Sequence, residues 1–114
     1  MSAGGQIQLC RLDDLADGGS GRFVAQVDGQ ARSVMAVRRG QQVFVYVNDC
    51  PHTGAPLDFT PGKFLNLEGT HILCTGHGAL FRIEDGHCVS GPCVGDDLQA
   101  LDAVVEDGAV WVAE

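Results

Sequence analysis

The stretch NDCPHTGAPL, residues 48–57, places Cys50 and His52 two positions apart between prolines and a glycine. A second pair stands in CTGHGALF, residues 74–81, where Cys74 and His77 are three apart. In an extended turn Cys50 and His52 can converge on one centre. The closer loop of Cys74 and His77 also turns backbone amides inward. The 21 residues between His52 and Cys74 are enough for a strand, a turn and a second strand that bring the two loops face to face. Four ligands of one metal centre is the functional reading of these residues. The bland one is four unrelated side chains, two of them small buried thiols.

Working outward, the apolar segments are short and separated by turn chemistry. RFVAQV (22–27), RSVMAV (32–37) and QVFVYV (42–47) read as three strands, with Asp28-Gly29 and Arg39-Gly40 at the hairpin turns between them. Asp-Gly supplies the positive φ that such tight turns require. FLNLE (64–68), HILC (71–74) and LFRIE (80–84) read as further strands, and residues 98–113 close the chain with a hairpin turning at Asp107-Gly108. The one helical candidate is LCRLDDLA (9–16), with Leu9, Leu12 and Leu15 at helical spacing. Its length allows at most one turn near residues 12–16. Eight to ten short strands predict an all-β protein, an antiparallel sandwich or small barrel. Both Cys/His pairs fall at turns between strands, in the region richest in proline and glycine. One domain spans residues 1–114, with a metal-binding subdomain over about 49–93 inserted in a β base of about 5–48 and 94–114.

Composition narrows the class. Glycine makes up 16 of 114 residues, about twice the ordinary share of about 7%, as in a chain with many turns. A net charge of −8 argues against nucleic acid and against an anionic membrane surface, both of which select a basic face. The N-terminal stretch has no export-signal pattern, and the longest fully apolar runs, residues 43–47 and 109–113, are far shorter than a membrane span. A cytoplasmic, reducing setting is the expectation. There the five cysteines read as thiols or metal ligands before disulfides.

The donor set bears on which metal. Structural zinc sites usually pair cysteine with cysteine and histidine with histidine, whereas each loop here supplies one thiolate and one imidazole. A binuclear iron centre can use that division, with both thiolates on one iron and both imidazoles on the other. The residues CPHTGAPL (50–57) and CTGHGALF (74–81), with Gly91-Pro92 in the place of a third, proline-containing loop, resemble the Rieske [2Fe–2S] proteins. The strands from residue 22 to 47 and the closing hairpin from 102 to 114 resemble the same family, so most of the chain is covered.

The resemblance implies that Cys50 and Cys74 hold an inner iron, and that His52 and His77 hold an outer one facing solvent. It implies that Gly54, Gly76 and Gly78 let the backbone approach the cluster, and that Leu57 and Pro92 cover it. The implied function is one-electron transfer by a soluble carrier without catalytic residues. Its partners would be a flavin-dependent reductase and a terminal oxygenase, as in the ferredoxins of bacterial aromatic-ring dioxygenases. A small subunit of a larger reductase of the nitrite-reductase type is the alternative, and a Cys2His2 zinc module a more distant one. High-potential members carry cysteines that join the two loops in a disulfide, and Ser and Tyr hydroxyls that bond the cluster sulfurs. Here Ala55, Gly76, Ala79 and Phe81 stand at those positions, so a low potential is implied, near −150 mV or about the lower end of the family's range. Cys88 and Cys93 flank Ser90-Gly91-Pro92; packing is the simpler reading for them, a redox role the other. Cys10 reads as a core or surface thiol. His71 and His87 read as strand-end or surface residues.

Overall fold

The computed structural model describes residues 6–27, 29–51, 56–58, 62–74 and 78–113. Among them are ten strands and one short 3₁₀ turn. The strands are β1 (Gln6–Arg11), β2 (Ser20–Val27), β3 (Gln30–Arg39), β4 (Gln42–Val47), β5 (His71–Cys74), β6 (Ala79–Arg82), β7 (Cys88–Ser90), β8 (Ala100–Leu101), β9 (Ala103–Glu106) and β10 (Ala109–Ala113). They form three sheets, ordered β1-β10-β9, β2-β3-β4-β8 and β5-β6-β7. Every pairing is antiparallel, as the turn-rich sequence predicts.

The middle sheet is packed on both faces, which explains its apolar runs. Successive side chains of a strand point to opposite faces. Along β3, Val34 and Ala36 join one core with Cys10, Leu12, Leu15, Val110 and Val112. Met35 and Val37 join the other, with Phe64, Ile72, Phe81 and Ile83. Along β4, Val43, Val45 and Val47 face the first core, and Tyr46 the second. The four residues 34–37 are all fully buried. A slip of one residue in this strand would exchange the two cores' side chains, so the register is strongly specified.

Three hairpin turns stand where the sequence places them, the second shifted by one residue from Arg39-Gly40 to Gly40-Gln41. Val27 pairs with Gln30 and Arg39 with Gln42, each leaving a two-residue hairpin loop. At the β9–β10 turn Asp107 has φ 52° and Gly108 φ 72°, so both central residues occupy the left-handed region that suits the twist of the flanking strands.

Two expectations are adjusted, the first only in its bounds, since the single turn expected near residues 12–16 is present as a shorter one. Leu9 belongs to β1, where the register steps from Gln8↔Trp111 to Cys10↔Val110 through a bulge. Only Leu12–Asp14 turns, as a 3₁₀ segment that buries Leu12 and hands on to the buried Leu15. The backbone N–H of Arg11 donates to Asp14 Oδ2 at 2.9 Å, closing that turn. The second correction is FLNLE (64–68), which contributes an isolated bridge, Leu65↔Ile72, rather than a strand. Asn66 is the reason: its Oδ1 accepts the backbone N–H of Thr70 at 2.9 Å and of His71 at 3.1 Å. That side-chain turn competes with the ladder. It leaves Leu67 fully exposed.

Candidate metal centre

Cys50 lies three residues beyond the end of β4, and Cys74 is the last residue of β5. Both are 1% exposed and belong to the core between the middle sheet and the β5-β6-β7 sheet. The fold therefore carries the two thiols, 24 positions apart in sequence, into one apolar cluster. Cys74 pairs with Ala79 across the β5–β6 hairpin. The N–H of Gly78 donates to the Cys74 carbonyl at 2.8 Å, and Gly78 has φ 71°. His52 and His77, with Gly54 and Gly76, lie outside the described residues. Among the described residues no three metal-ligating side chains come together.

The first loop is fastened at its base by two buried polar residues whose role the sequence reading missed. Asn48, 6% exposed, receives the Leu57 N–H on Oδ1 at 2.8 Å and donates through Nδ2 to Asp58 Oδ1 at 2.8 Å. Nδ2 also reaches Ser33 Oγ on β3 at 3.2 Å, and the Asn48 N–H donates to the Ser33 carbonyl at 2.9 Å. Asp58 is 4% exposed; its Oδ2 accepts the Gly62 N–H at 2.9 Å and faces Arg22 at 3.7 Å. The network thus ties both ends of the loop that carries Cys50 to the middle sheet. Asp49, next to Cys50, pairs with Arg32 at 3.1 Å through Oδ2. Its Oδ1 is buried and meets no donor among the described residues. The available signal in the sequence was a polar residue at each end of the motif, Asn48 directly after the apolar run 43–47 and Asp58 directly after Leu57.

The third loop sits against the second. Gly91 has φ 99°, and a Cβ there would stand 2.7 Å from Ala79 Cα. Only glycine allows that backbone conformation and that approach together. Of the two expected covers, Leu57 is fully buried in the core and Pro92 is exposed. Cys93, 2% exposed, and Cys88, fully buried, lie in the same core as Cys50 and Cys74. Burial, then the neighbouring Cys88 and Cys50, push the Cys93 thiol up to about 12. Cys10 is buried in the other core. His71 begins β5 and shares a 2.9 Å hydrogen bond with Thr70 Oγ1. His87 pairs with Asp97 at 2.6 Å. Neither points to the metal-binding role.

Two thiols held in an apolar core suit a soft-donor metal site, since thiolates buried without a cation to compensate them would be strongly disfavoured. The chain belongs to the Rieske [2Fe–2S] domain family, whose profile matches residues 5–105. The family's cofactor is a Rieske-type [2Fe–2S] cluster, and the buried cysteine pair fits it. Among solved structures, the chain is similar to the ferredoxin of carbazole 1,9a-dioxygenase from Nocardioides aromaticivorans IC177. The identity is 31% over 95% of this chain and 96% of that one, with a TM-score of 0.74. It is 29% identical, with a TM-score of 0.75, to a chain in a complex of reduced oxygenase and oxidized ferredoxin in carbazole 1,9a-dioxygenase, covering 95% of this chain and 92% of that one. A ferredoxin of Sphingomonas yanoikuyae B1 matches at 24% identity and a TM-score of 0.75 over 96% of this chain and 99% of that one, which shows the shared fold. No curated protein matches the chain.

Proposed function

We propose that this protein is the ferredoxin component of an aromatic-ring oxygenase system, a one-electron carrier between a flavin-dependent reductase and a terminal oxygenase in the cytoplasm. The observation that carries this reading is the 31% identity, over nearly the full length of both chains, to the ferredoxin of carbazole 1,9a-dioxygenase. Cys50 and Cys74 are assigned to the inner iron, and His52 and His77 to the outer one. The chemistry supplied by such a cluster is a reversible one-electron couple. The chain's own part is to hold two thiolates in a dry core, fix the first loop through Asn48 and Asp58, and seat the third loop on the second through Gly91. Residues 49–93 form the cluster-binding part, and the β base is built from both ends of the chain. No helix among the described residues is long and apolar enough to cross a membrane.

Purified protein tests the cofactor assignment. Two irons and two acid-labile sulfides per chain, with a reddish-brown colour, are expected; one zinc in a colourless protein would refute it. Cys50→Ser and His77→Ala should each abolish the visible spectrum, and a retained spectrum in either would reassign that ligand. For the partners, reduced protein mixed with a terminal oxygenase of this class should be reoxidised. Co-purification as a stoichiometric subunit of a larger reductase would instead favour the nitrite-reductase type.

A further inference from the structure

Cys88 and Cys93 have no part in the ligand set, yet the fold brings them together. Their sulfurs are 3.0 Å apart, with the Cys93 thiol donating to Cys88 Sγ and the Cys88 thiol donating to the Ser90 carbonyl at 3.3 Å. The segment between them carries Gly91 and Pro92, and Gly91 is the residue in close contact with Ala79 beside the second ligand loop. Two backbone bonds hold this loop more loosely than the rest: Val94 N–H to the Gly91 carbonyl and Gly95 N–H to the Cys88 carbonyl, both at 3.4 Å. The neighbouring bonds from Cys88 to Asp96 and from Asp96 to Cys93 are 2.9 Å. Gly91, Pro92, Val94 and Gly95 are exposed, so the segment joining and following the two cysteines is a short surface turn with two long closing bonds.

We propose that Cys88 and Cys93 are a redox latch, a dithiol that a hydroperoxide converts to a disulfide, locking the third loop onto the second. One thiol sulfur attacks a peroxide oxygen, and the O–O bond breaks to leave a sulfenic acid and one water. The second sulfur, already in contact, then attacks the sulfenic sulfur. The S–S bond forms, the S–O bond breaks and a second water leaves. Two thiols and one hydrogen peroxide give one disulfide and two waters, the sulfurs losing the two electrons that the peroxide gains. Both thiols are buried, so the reaction waits on opening of the 91–95 turn and is slow in the closed state. Closing the disulfide holds Gly91 against Ala79. Where the ligand assignment above is right, it also slows loss of the cluster from the second loop.

Trypsin provides a direct reading. Residues 83–114 contain no Lys or Arg, so the tryptic peptide that begins after Arg82 holds Cys88 and Cys93 as the only cysteines of that stretch. Holoprotein is treated with hydrogen peroxide, alkylated under denaturing conditions and digested. The expected peptide is lighter than the dithiol by two hydrogen atoms and takes no alkyl group, while the visible spectrum persists. Bleaching of the oxidised form by an iron chelator should have a half-life longer by roughly threefold or more, as a cross-link resists local opening. Cys88→Ala and Cys93→Ala should each lose both the cross-link and the effect of peroxide on bleaching. Two alkyl groups on the wild-type peptide, at every peroxide concentration that spares the cluster, would overturn the latch, whether or not the variants fold. So would equal bleaching rates with and without the cross-link. The cross-link is read in the peptide and the cluster in the visible spectrum, so failure of the latch and failure of the cluster assignment are told apart.

Discussion

At the scale of single residues, the loop that carries Cys50 depends on Asn48. Its amide is the partner of both the Leu57 N–H and the buried Asp58 carboxylate. Asn48→Ala would remove a donor from a buried charge and an acceptor from a buried N–H. A loss of about 2–3 kcal/mol is expected, read as a lower urea midpoint with unchanged m-value. Asn48→Asp should be at least as harmful, since it sets a second carboxylate against Asp58 in a buried site. If both variants matched the wild type, the network would be incidental. The cluster's potential is also a residue-scale matter. Ala79 and Phe81 are fully buried and offer no hydroxyl to a cluster sulfur. Fewer hydrogen bonds to sulfur stabilise the reduced, more negative state less, so the midpoint should fall near the lower end of the Rieske range, about −150 mV. Phe81→Tyr, where the new hydroxyl reaches sulfur, should raise it by up to about 60 mV, the equivalent of about 1.4 kcal/mol in a one-electron couple. A wild-type midpoint well above zero in an electron paramagnetic resonance titration would contradict this account.

At the scale of elements, what was legible follows from what is local. β2, β3 and β4 could be read because their turns carry positive-φ glycines and because β3 and β4 hold continuous apolar runs. Cys50 and Cys74 could be singled out because each stands within three residues of a histidine in sequence, and both thiols lie in one core. Residues 64–68 were misread because Asn66 captures two backbone N–H groups that a strand would have used. The Asn48–Asp58 clamp and the Cys88–Cys93 contact were hidden because each arises only when a loop folds back on itself. The contact of the third loop with β6 is of the same kind, and it yields a sharp expectation. Gly91→Ala would put a Cβ 2.7 Å from backbone, at φ 99°. Neither strain can be relieved by turning a side chain, so destabilisation by about 2–3 kcal/mol is expected, measured as a lower thermal midpoint. The contrast is Gly29→Ala, also at positive φ (80°) but with open space around its Cβ. It should cost only the backbone term, about 1 kcal/mol. Equal losses at the two sites would mean that the third loop is not seated as described.

At the scale of the whole molecule, two cores share the middle sheet, and each holds an acid kept neutral by its surroundings. Burial, with help from Asp14, raises Cys10 from 9.0 to about 11 in the first core. Burial, then Asp85 and Glu84, raise Tyr46 from 10.0 to about 12 in the second, where its hydroxyl donates to the Ile83 carbonyl. For both groups the folded state binds its proton more tightly than the unfolded chain. Their contribution is therefore complete below pH 9 and is lost as pH rises to about 12, where folded protein ionises as well. Each two-unit shift corresponds to at most about 2–3 kcal/mol. Alkaline unfolding should accordingly begin above pH 9 and steepen above pH 10, when tyrosine joins cysteine. Tyr46→Phe separates the two contributions. At pH 7 it loses one buried hydrogen bond, a cost of about 1 kcal/mol. Between pH 10 and 12 the wild type declines by tyrosine ionisation and the variant does not, so the stability gap between them should shrink and then reverse. Urea denaturation of both proteins across that window decides it. A gap that stayed constant from pH 7 to 12 would show that Tyr46 does not hold its proton against the unfolded state.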